Sequence, residues 1–393
     1  MIAQSCMDLE ASTALLGGLS PQQFMRRHWQ KKPRLIRGAV ADPAAVVDRS
    51  TLFALAARAE VESRLVVRDV ERWSLRHGPF ARRALPAVKR PAWTLLVQGA
   101  DLHLDAAHAL LQRFRFVPDA RLDDVMFSFA TDGGGVGPHI DSYDVFLLQV
   151  RGRRRWRIGR VRSPKLRDDV PLKMLDAFAP SDEWLLEPGD MLYLPPGWGH
   201  DGVAEGETIT ASIGFRSAGA AALGLEVAQR LLDDLDPPGR DALYRDPDGL
   251  ATAAPGRIPA PLQRFAAESV ARLLDDPVGL ARALGESLSE PKTGVSFEAG
   301  LGAPTRHGVR LDRRTRMLYD DAHVYINGES FKAAGRDAKA VRRLADRREL
   351  DAAGLATMSA EGRAAIDEWV AAGWLQAAFE ATEDPGARPM RAR

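Results

Sequence analysis

Between about Glu60 and Phe215 the chain is a succession of short apolar runs held apart by turn signals, and this restricts the fold more than any other feature. The runs are SRLVVRD, DDVMFSFAT, DVFLLQV, RRRWRIG, DMLYLPP and TITASIGF. Gly133-Gly134-Gly135, Arg151-Gly152 and Glu187-Pro188-Gly189-Asp190 punctuate them. Many short strands at this spacing predict a barrel or a two-sheet jelly roll. Two segments inside this region, residues 91–99 and 103–113, read as helices packed outside it.

The flanks have a different texture. In LSPQQFMRRHWQKKP, Ser20 can cap a helix, Pro21 suits its first position, and Phe24 with His28 or Trp29 gives one stripe. Pro33 stops it and LIRGAV follows as a short strand; a second capped helix starts near residues 48–51 and carries Leu52, Leu55 and Ala56. After Phe215 the strands vanish. Residues 221–235, 262–274 and 278–288 repeat apolar side chains at helical spacing, separated by breaks at Pro237-Pro238-Gly239 and Pro255-Gly256. The last portion is mixed: HVYINGESFK predicts a hairpin turned at Asn327-Gly328. Helices are expected over 338–344 and from the Ser359 cap to Ala372, ended by Gly373. Helices and a hairpin in so short a stretch predict a winged-helix-like module.

A chain of 393 residues predicts two or three domains, and 45% hydrophobic with 27% charged residues is the balance of a globular protein. The net charge of +1 gives no global drive toward nucleic acid or membrane. The only cysteine, Cys6, allows neither a disulfide framework nor a zinc-thiolate cluster within one chain, which fits a reducing cytosol. The opening MIAQSCMDLE lacks the basic and apolar regions of a signal peptide, and no apolar stretch approaches a membrane span. The expectation is a cytoplasmic protein.

The chemistry concentrates in GGGVGPHIDSYDVF and, much later, PPGWGHDG. His139 and Asp141 are two apart, so on a strand they face the same way. With a distant His200 they make two imidazoles and one carboxylate. That set occupies one face of an octahedral metal and leaves three positions open, as non-haem Fe(II) oxygenases require for a bidentate keto acid and dioxygen. An H-x-D tripeptide alone is weak. Here, however, a glycine run precedes His139, and the rigid turn Pro195-Pro196-Gly197 fixes the direction of His200.

Arg154 is the second signal. From Arg153 to Ile158, residues 154, 156 and 158 are Arg, Trp and Ile, whereas 153, 155 and 157 are all Arg. The alternation puts Arg154 on the inward face with Trp156, where a guanidinium needs an anion. A dicarboxylate co-substrate supplies one and can be gripped bidentately; an internal Asp or Glu is the plainer alternative. Ser128 lies on the strand before the glycine run. Thr208, Thr210 and Ser212 alternate with Ile209, Ala211 and Ile213, so their hydroxyls face the pocket or are ordinary strand residues.

GGGVGPHIDSYDVFLLQVRGRRRW, EPGDMLYLPPGWGH and LSPQQFMRRHWQKKPRLIRG resemble the bacterial ribosomal oxygenases of the JmjC/cupin superfamily. Within them the resemblance is greatest to those that hydroxylate an arginine of large-subunit ribosomal protein sixteen. It implies an α+β chain: a double-stranded β-helix (cupin/JmjC jelly roll) as catalytic domain over 1–217, a helical dimerisation segment over 218–292, and a winged-helix-like domain over 293–393. It also implies that His139, Asp141 and His200 hold Fe(II), that Arg154 holds a carboxylate of 2-oxoglutarate and that Ser128 lines its pocket; Ser212 is a further 2-oxoglutarate candidate from its strand position alone. The implied reaction consumes 2-oxoglutarate and dioxygen, yields succinate and CO2, and hydroxylates a ribosomal protein. The implied assembly is a homodimer.

The iron motif does not distinguish arginine hydroxylation from histidine hydroxylation or lysine demethylation, and a non-enzymatic cupin-like module would lack a metal ligand. Asp132 and Asp144 are candidate acceptors for a guanidinium, against the plainer reading of solvated loop acids. Arg306, Arg310, Arg313, Arg314 and Arg316, with Arg342, Arg343, Arg347 and Arg348, are interleaved with Asp312, Asp320, Asp321, Asp337, Asp346 and Glu349. That mixture argues for a solvated surface and against nucleic-acid binding.

Overall fold

The computed structural model describes residues 8–70, 72–233, 243–247, 251, 254–300, 305–332 and 334–377. Cys6, the break at Pro237-Pro238-Gly239 and the C-terminal tail lie outside them. The chain divides into two compact units, Met1–Ser217 and Ala218–Arg393.

The first unit runs α1 (Pro21–Arg27), β1 (Arg34–Ile36), α2 (Arg49–Leu55), β2 (Ser63–Asp69), β3 (Arg72–His77), β4 (Trp93–Val97), α3 (Asp105–Gln112), β5 (Leu122–Ala130), β6 (His139–Ile140), β7 (Val145–Arg160), β8 (Asp182–Leu186), β9 (Met191–Leu194) and β10 (Trp198–Phe215). The strands form one antiparallel sheet in the order β1-β9-β7-β10-β5-β4-β2-β3, with β6 on β10 and β8 on β7. Successive side chains face opposite ways, so the sheet has two differently used faces. One carries Phe127, Phe129, Phe146, Leu148, Tyr193, Ile209 and Ala211 into a core shared with Phe24, Leu52 and Leu110 of the helices. The other gathers a smaller cluster of Val145, Leu147, Trp156, Ile158, Leu186, Leu192 and Leu194. Each fully buried large side chain contributes about 1.5–3 kcal/mol, so the helix-covered face supplies most of the stability.

The helix starts follow local chemistry. Ser20 accepts from the Gln23 amide and Gln23 reaches back to Ser20, a reciprocal capping box with Pro21 at the first position. Asp48 caps α2 through the Thr51 amide at 2.7 Å. Residues 91–99, expected as a helix, instead contain β4, paired between β2 and β5. Every residue of WTLLV is buried. A run buried on both faces has no alternation to separate strand from helix.

Long β7 changes face at a bulge. Gly152 sits at φ +66°, and a Cβ there would lie 2.1 Å from the Glu207 carbonyl oxygen. Before it, odd residues Val145 and Leu147 face the smaller cluster; after it, even residues Trp156 and Ile158 do. That switch carries Arg154 inward.

The second unit has α4 (Ala220–Asp233), α5 (Ala260–Leu274), α6 (Pro277–Ser289), β11 (Gly308–Leu311), β12 (Met317–Tyr319), β13 (His323–Ile326), β14 (Glu329–Lys332), α7 (Gly335–Arg347), β15 (Glu349–Asp351), α8 (Ala352–Ala356), α9 (Ala360–Ala371) and β16 (Leu375–Ala377). β13 and β14 form the expected hairpin, with Asn327 and Gly328 at φ 50° and 90°, the left-handed pair of a tight two-residue turn. Val309, Leu311, Leu344, Ile366, Trp369 and Leu375 form its core. α6 packs against α4 and β13. No helix among the described residues is long and apolar enough to cross a membrane.

Candidate metal and co-substrate site

β6 is only two residues long, yet it positions both ends of the predicted ligand set. It pairs with β10 so that His139 lies directly opposite His200, and their ring centroids are 4.1 Å apart. The glycine run permits this approach: a Cβ on Gly135 would stand 2.5 Å from the Gly202 carbonyl oxygen of β10. Asp141 follows two residues after His139, and its Oδ2 is 3.6 Å from His200 Nε2. One ligand atom from each of His139, Asp141 and His200 falls within 4.8 Å of the others.

The two imidazoles are oriented alike. His139 Nδ1 lies 3.0 Å from the Gly137 carbonyl, and His200 Nδ1 lies 3.2 Å from the Trp198 carbonyl. A carbonyl only accepts, so each Nδ1 carries the proton and each Nε2 keeps its lone pair, the tautomer a metal ligand needs. Burial, then the neighbouring His139, holds His200 well below the usual imidazole pKa, so it stays neutral. Burial raises the Asp141 carboxyl, against the opposing pull of His139 and the Tyr143 hydroxyl. This half-buried carboxylate faces neutral imidazoles, and a divalent cation would supply its counter-charge. The donor set therefore fits a metal that binds two nitrogens and one oxygen.

Arg154 lies on the same face, 3% exposed. Its Nη1 donates to Ser128 Oγ at 3.0 Å and Thr210 Oγ1 at 3.4 Å, and Nη2 donates to the Gly202 carbonyl at 3.1 Å. Every one of these partners is neutral, and among the described residues no carboxylate stands within ion-pair distance. Burial pushes its pKa down to about 10, with Asp201 opposing from further away. The outward arginines differ: Arg155 pairs with Glu183 at 2.8 Å and Glu205 at 2.5 Å, Arg153 with Glu205 at 3.6 Å, and Arg157 with Asp201. An internal Asp or Glu partner for Arg154 is thus absent among the described residues, and an exogenous anion would complete it.

Ser128 and Thr210 are cross-strand partners on β5 and β10, which explains their convergence on one guanidinium. Ser212 lies two residues further along β10, opposite Met126 of β5 and Leu147 of β7. Thr210 is the β10 hydroxyl that reaches Arg154, and it also donates to Gln149 Oε1 at 3.0 Å. Alternation alone cannot separate Thr210 from Ser212, since both share a face. Asp144 is not at a mouth. It is fully buried on the helix-covered side, accepting from Tyr193 Oη at 2.6 Å and Gln30 Nε2 at 3.1 Å. Asp132 is exposed and accepts from the Gly206 amide at 2.8 Å. On the opposite face of β10 from His200, a cavity of about 480 Å³ is lined by Arg68, Trp73, Gly135, Arg157, Phe178 and Asp201; none of the three ligands borders it.

Comparison with known proteins agrees with this geometry. Residues 109–223 match the JmjC domain, and residues 272–376 match the ROXA-like winged helix. The ribosomal protein uL16 3-hydroxylase of Escherichia coli is 36% identical over 336 residues, 80% of this chain and 86% of that protein. A probable ribosomal oxygenase of Haemophilus influenzae is 33% identical over 203 residues, 50% of each chain. Among solved structures, Escherichia coli YcfD aligns with a TM-score of 0.81 at 31% identity, covering 91% of this chain and 98% of that one. A structure of YcfD, a ribosomal oxygenase, in complex with cobalt and 2-oxoglutarate aligns at 0.77 and 30% identity, with the same coverage. The α+β architecture, a JmjC jelly roll followed by a C-terminal winged helix, is that of these relatives, and the chain belongs to the JmjC-domain ribosomal oxygenases.

Proposed function

We propose that this chain is an Fe(II)- and 2-oxoglutarate-dependent protein hydroxylase that oxidises an arginine side chain of a large-subunit ribosomal protein. The observation that carries the reading is the juxtaposition of a two-histidine, one-carboxylate set with a buried arginine that has only neutral partners. His139, Asp141 and His200 would hold the iron, and Arg154 with Ser128 would hold a carboxylate of the co-substrate. Ser212 shares their face and is proposed as a further lining hydroxyl. Iron so held supplies the activation of dioxygen, with 2-oxoglutarate leaving as succinate and CO2.

The chain's own work is positional. The Gly137 and Trp198 carbonyls fix the tautomers of the two histidines, so no proton need be lost from Nε2 on metal binding. Val145, Leu147, Leu186 and Leu192 keep the interior dry, which strengthens the charge-assisted contact at Arg154. The ribosomal substrate rests on the Escherichia coli relative, named a uL16 3-hydroxylase; the arginine rests on the family resemblance.

The reading assigns catalysis to 1–217, dimerisation to helices within 218–292 and the winged helix to 293–393, in the cytoplasm where ribosomal proteins are assembled. A homodimer is supported by an apolar groove of Leu223, Val227, Leu280 and Leu284 and by exposed Leu225, Val270 and Val278. The test is incubation of purified protein with Fe(II), 2-oxoglutarate, dioxygen and recombinant uL16. One oxygen should be gained on an arginine per succinate formed, and His200→Ala should abolish both. Oxygen on a histidine, loss of a methyl group, or succinate yield equal in His200→Ala and wild type would overturn it.

A further inference from the structure

Trp156 lies between the two halves of the site. It is 5% exposed on β7, its ring centroid is 5.8 Å from that of His200, and the Arg154 guanidinium carbon is 5.1 Å from its ring. Room for it comes from Gly202 across the strand pair. A Cβ there would stand 2.6 Å from Trp156 Cζ3, 2.7 Å from Cη2 and 2.8 Å from Arg154 Nε. Among the described residues, buried Trp156 Nε1 has no hydrogen-bond partner, and neither does Arg154 Nε. An unmet buried donor is costly, and native proteins rarely leave one without a reason. Here two unmet donors belong to side chains in contact with each other, and Trp156 lies against both the metal-ligand candidate His200 and the basic Arg154. Packing accounts for a bicyclic ring over Gly202, but not for leaving its N–H unmet.

We propose that Trp156 is a co-substrate donor: its Nε1–H hydrogen-bonds a carboxylate oxygen of the bound dicarboxylate, beside the contact made by Arg154. The inference rests on the 2-oxoglutarate reading above and adds a residue to it. The same donor serves succinate, so both the co-substrate and its product are held by a neutral N–H as well as by the guanidinium. Because the partner arrives only with the ligand, Trp156→Phe acts differently in the two states. In the ligand-free protein it removes an unmet donor but leaves a small cavity, two effects of opposite sign; in the complex it also removes a hydrogen bond to a charged group.

The experiment compares wild type, Trp156→Phe, Arg154→Ala and Trp184→Phe, the last a half-buried indole on neighbouring β8. Calorimetric titration of cobalt-loaded protein with 2-oxoglutarate gives affinity; titration with cobalt alone gives metal binding; melting gives ligand-free stability. Expected is a loss of 2-oxoglutarate affinity of roughly ten- to hundredfold in Trp156→Phe. Cobalt affinity should be unchanged, the ligand-free melting temperature lowered only by the small cavity, and Trp184→Phe like wild type in 2-oxoglutarate affinity. Unchanged 2-oxoglutarate affinity in Trp156→Phe with weakened affinity in Arg154→Ala overturns the inference and leaves the functional reading standing. Cobalt binding weakened as much as 2-oxoglutarate binding shows instead a structural role and also overturns it. Absence of 2-oxoglutarate binding by wild type removes the functional reading itself and the inference with it. As a measurement independent of the variant's folding, the buried indole N–H resonance of zinc-loaded wild type should move downfield on adding 2-oxoglutarate. A stationary resonance at saturation contradicts the hydrogen bond.

Discussion

Replacing Arg154 should separate co-substrate binding from metal binding. The guanidinium is buried, has no carboxylate partner among the described residues, and donates only to Ser128, Thr210 and the Gly202 carbonyl. Losing a charge-assisted bidentate contact to a carboxylate costs about 1.5–3 kcal/mol, or roughly ten- to hundredfold in affinity. Ligand-induced stabilisation reads this directly. At a 2-oxoglutarate concentration about a hundred times the wild-type Kd, wild type gains about 2.7 kcal/mol, whereas a hundredfold weaker variant gains about 0.4 kcal/mol. With about 2–4 °C of melting temperature per kcal/mol for a unit of this size, the wild-type shift of roughly 5–10 °C should shrink to about 1–2 °C in Arg154→Ala. Arg154→Lys should recover part of it, since a point charge cannot reproduce the planar fork. Cobalt binding should stay near wild type. Arg153→Ala and Arg155→Ala remove outward ion pairs to Glu205 and Glu183 and should shift like wild type. If either of those, rather than Arg154→Ala, loses the shift, the face assigned after the Gly152 bulge is wrong.

Gly202→Ala should push Trp156 and Arg154 from their places at a cost of about 1–3 kcal/mol, weakening 2-oxoglutarate more than cobalt; equal affinities by calorimetry would show that the pocket has room to spare. Metal affinity should fall on acidification, because burial raises the Asp141 carboxyl above its ordinary value and protons then compete for the ligand, whereas His200 is already held neutral. Cobalt titrations across pH check the sign, and affinity that is flat or improves as pH falls refutes it. The protein should scatter light as a homodimer at micromolar concentration, and Leu223→Glu with Val227→Glu in the α4–α6 groove should yield monomer; a monomeric wild type removes that assignment.

Much of the site was legible because its signals are local. The two-residue step from His139 to Asp141 and the alternation across Arg153–Ile158 need no knowledge of the rest of the fold. The Arg154 alternation was readable only because Gly152 ends one register and begins another: counted continuously from Val145, whose odd neighbours face inward, Arg154 would point outward. Where contacts cross between distant strands, the sequence is silent. Thr210 rather than Ser212 reaches Arg154 because β10 aligns Thr210 with Ser128, a register no single strand reveals. Asp144 has the composition of a mouth residue and the position of a core one, since its carboxylate is taken up by Tyr193 and Gln30 from elements far away in the chain. Residues 91–99 failed for another reason: WTLLV is buried on both faces and has no period to read.

If the site drives 2-oxoglutarate-dependent hydroxylation of a ribosomal protein, the modification should be carried by the host's own ribosomes. Mass spectrometry compares ribosomal proteins from host cells with the gene, without it, and complemented by His200→Ala. One large-subunit protein should carry an extra oxygen on an arginine only in cells with the wild-type gene. The same modification present in cells without the gene, or restored by His200→Ala, would contradict it.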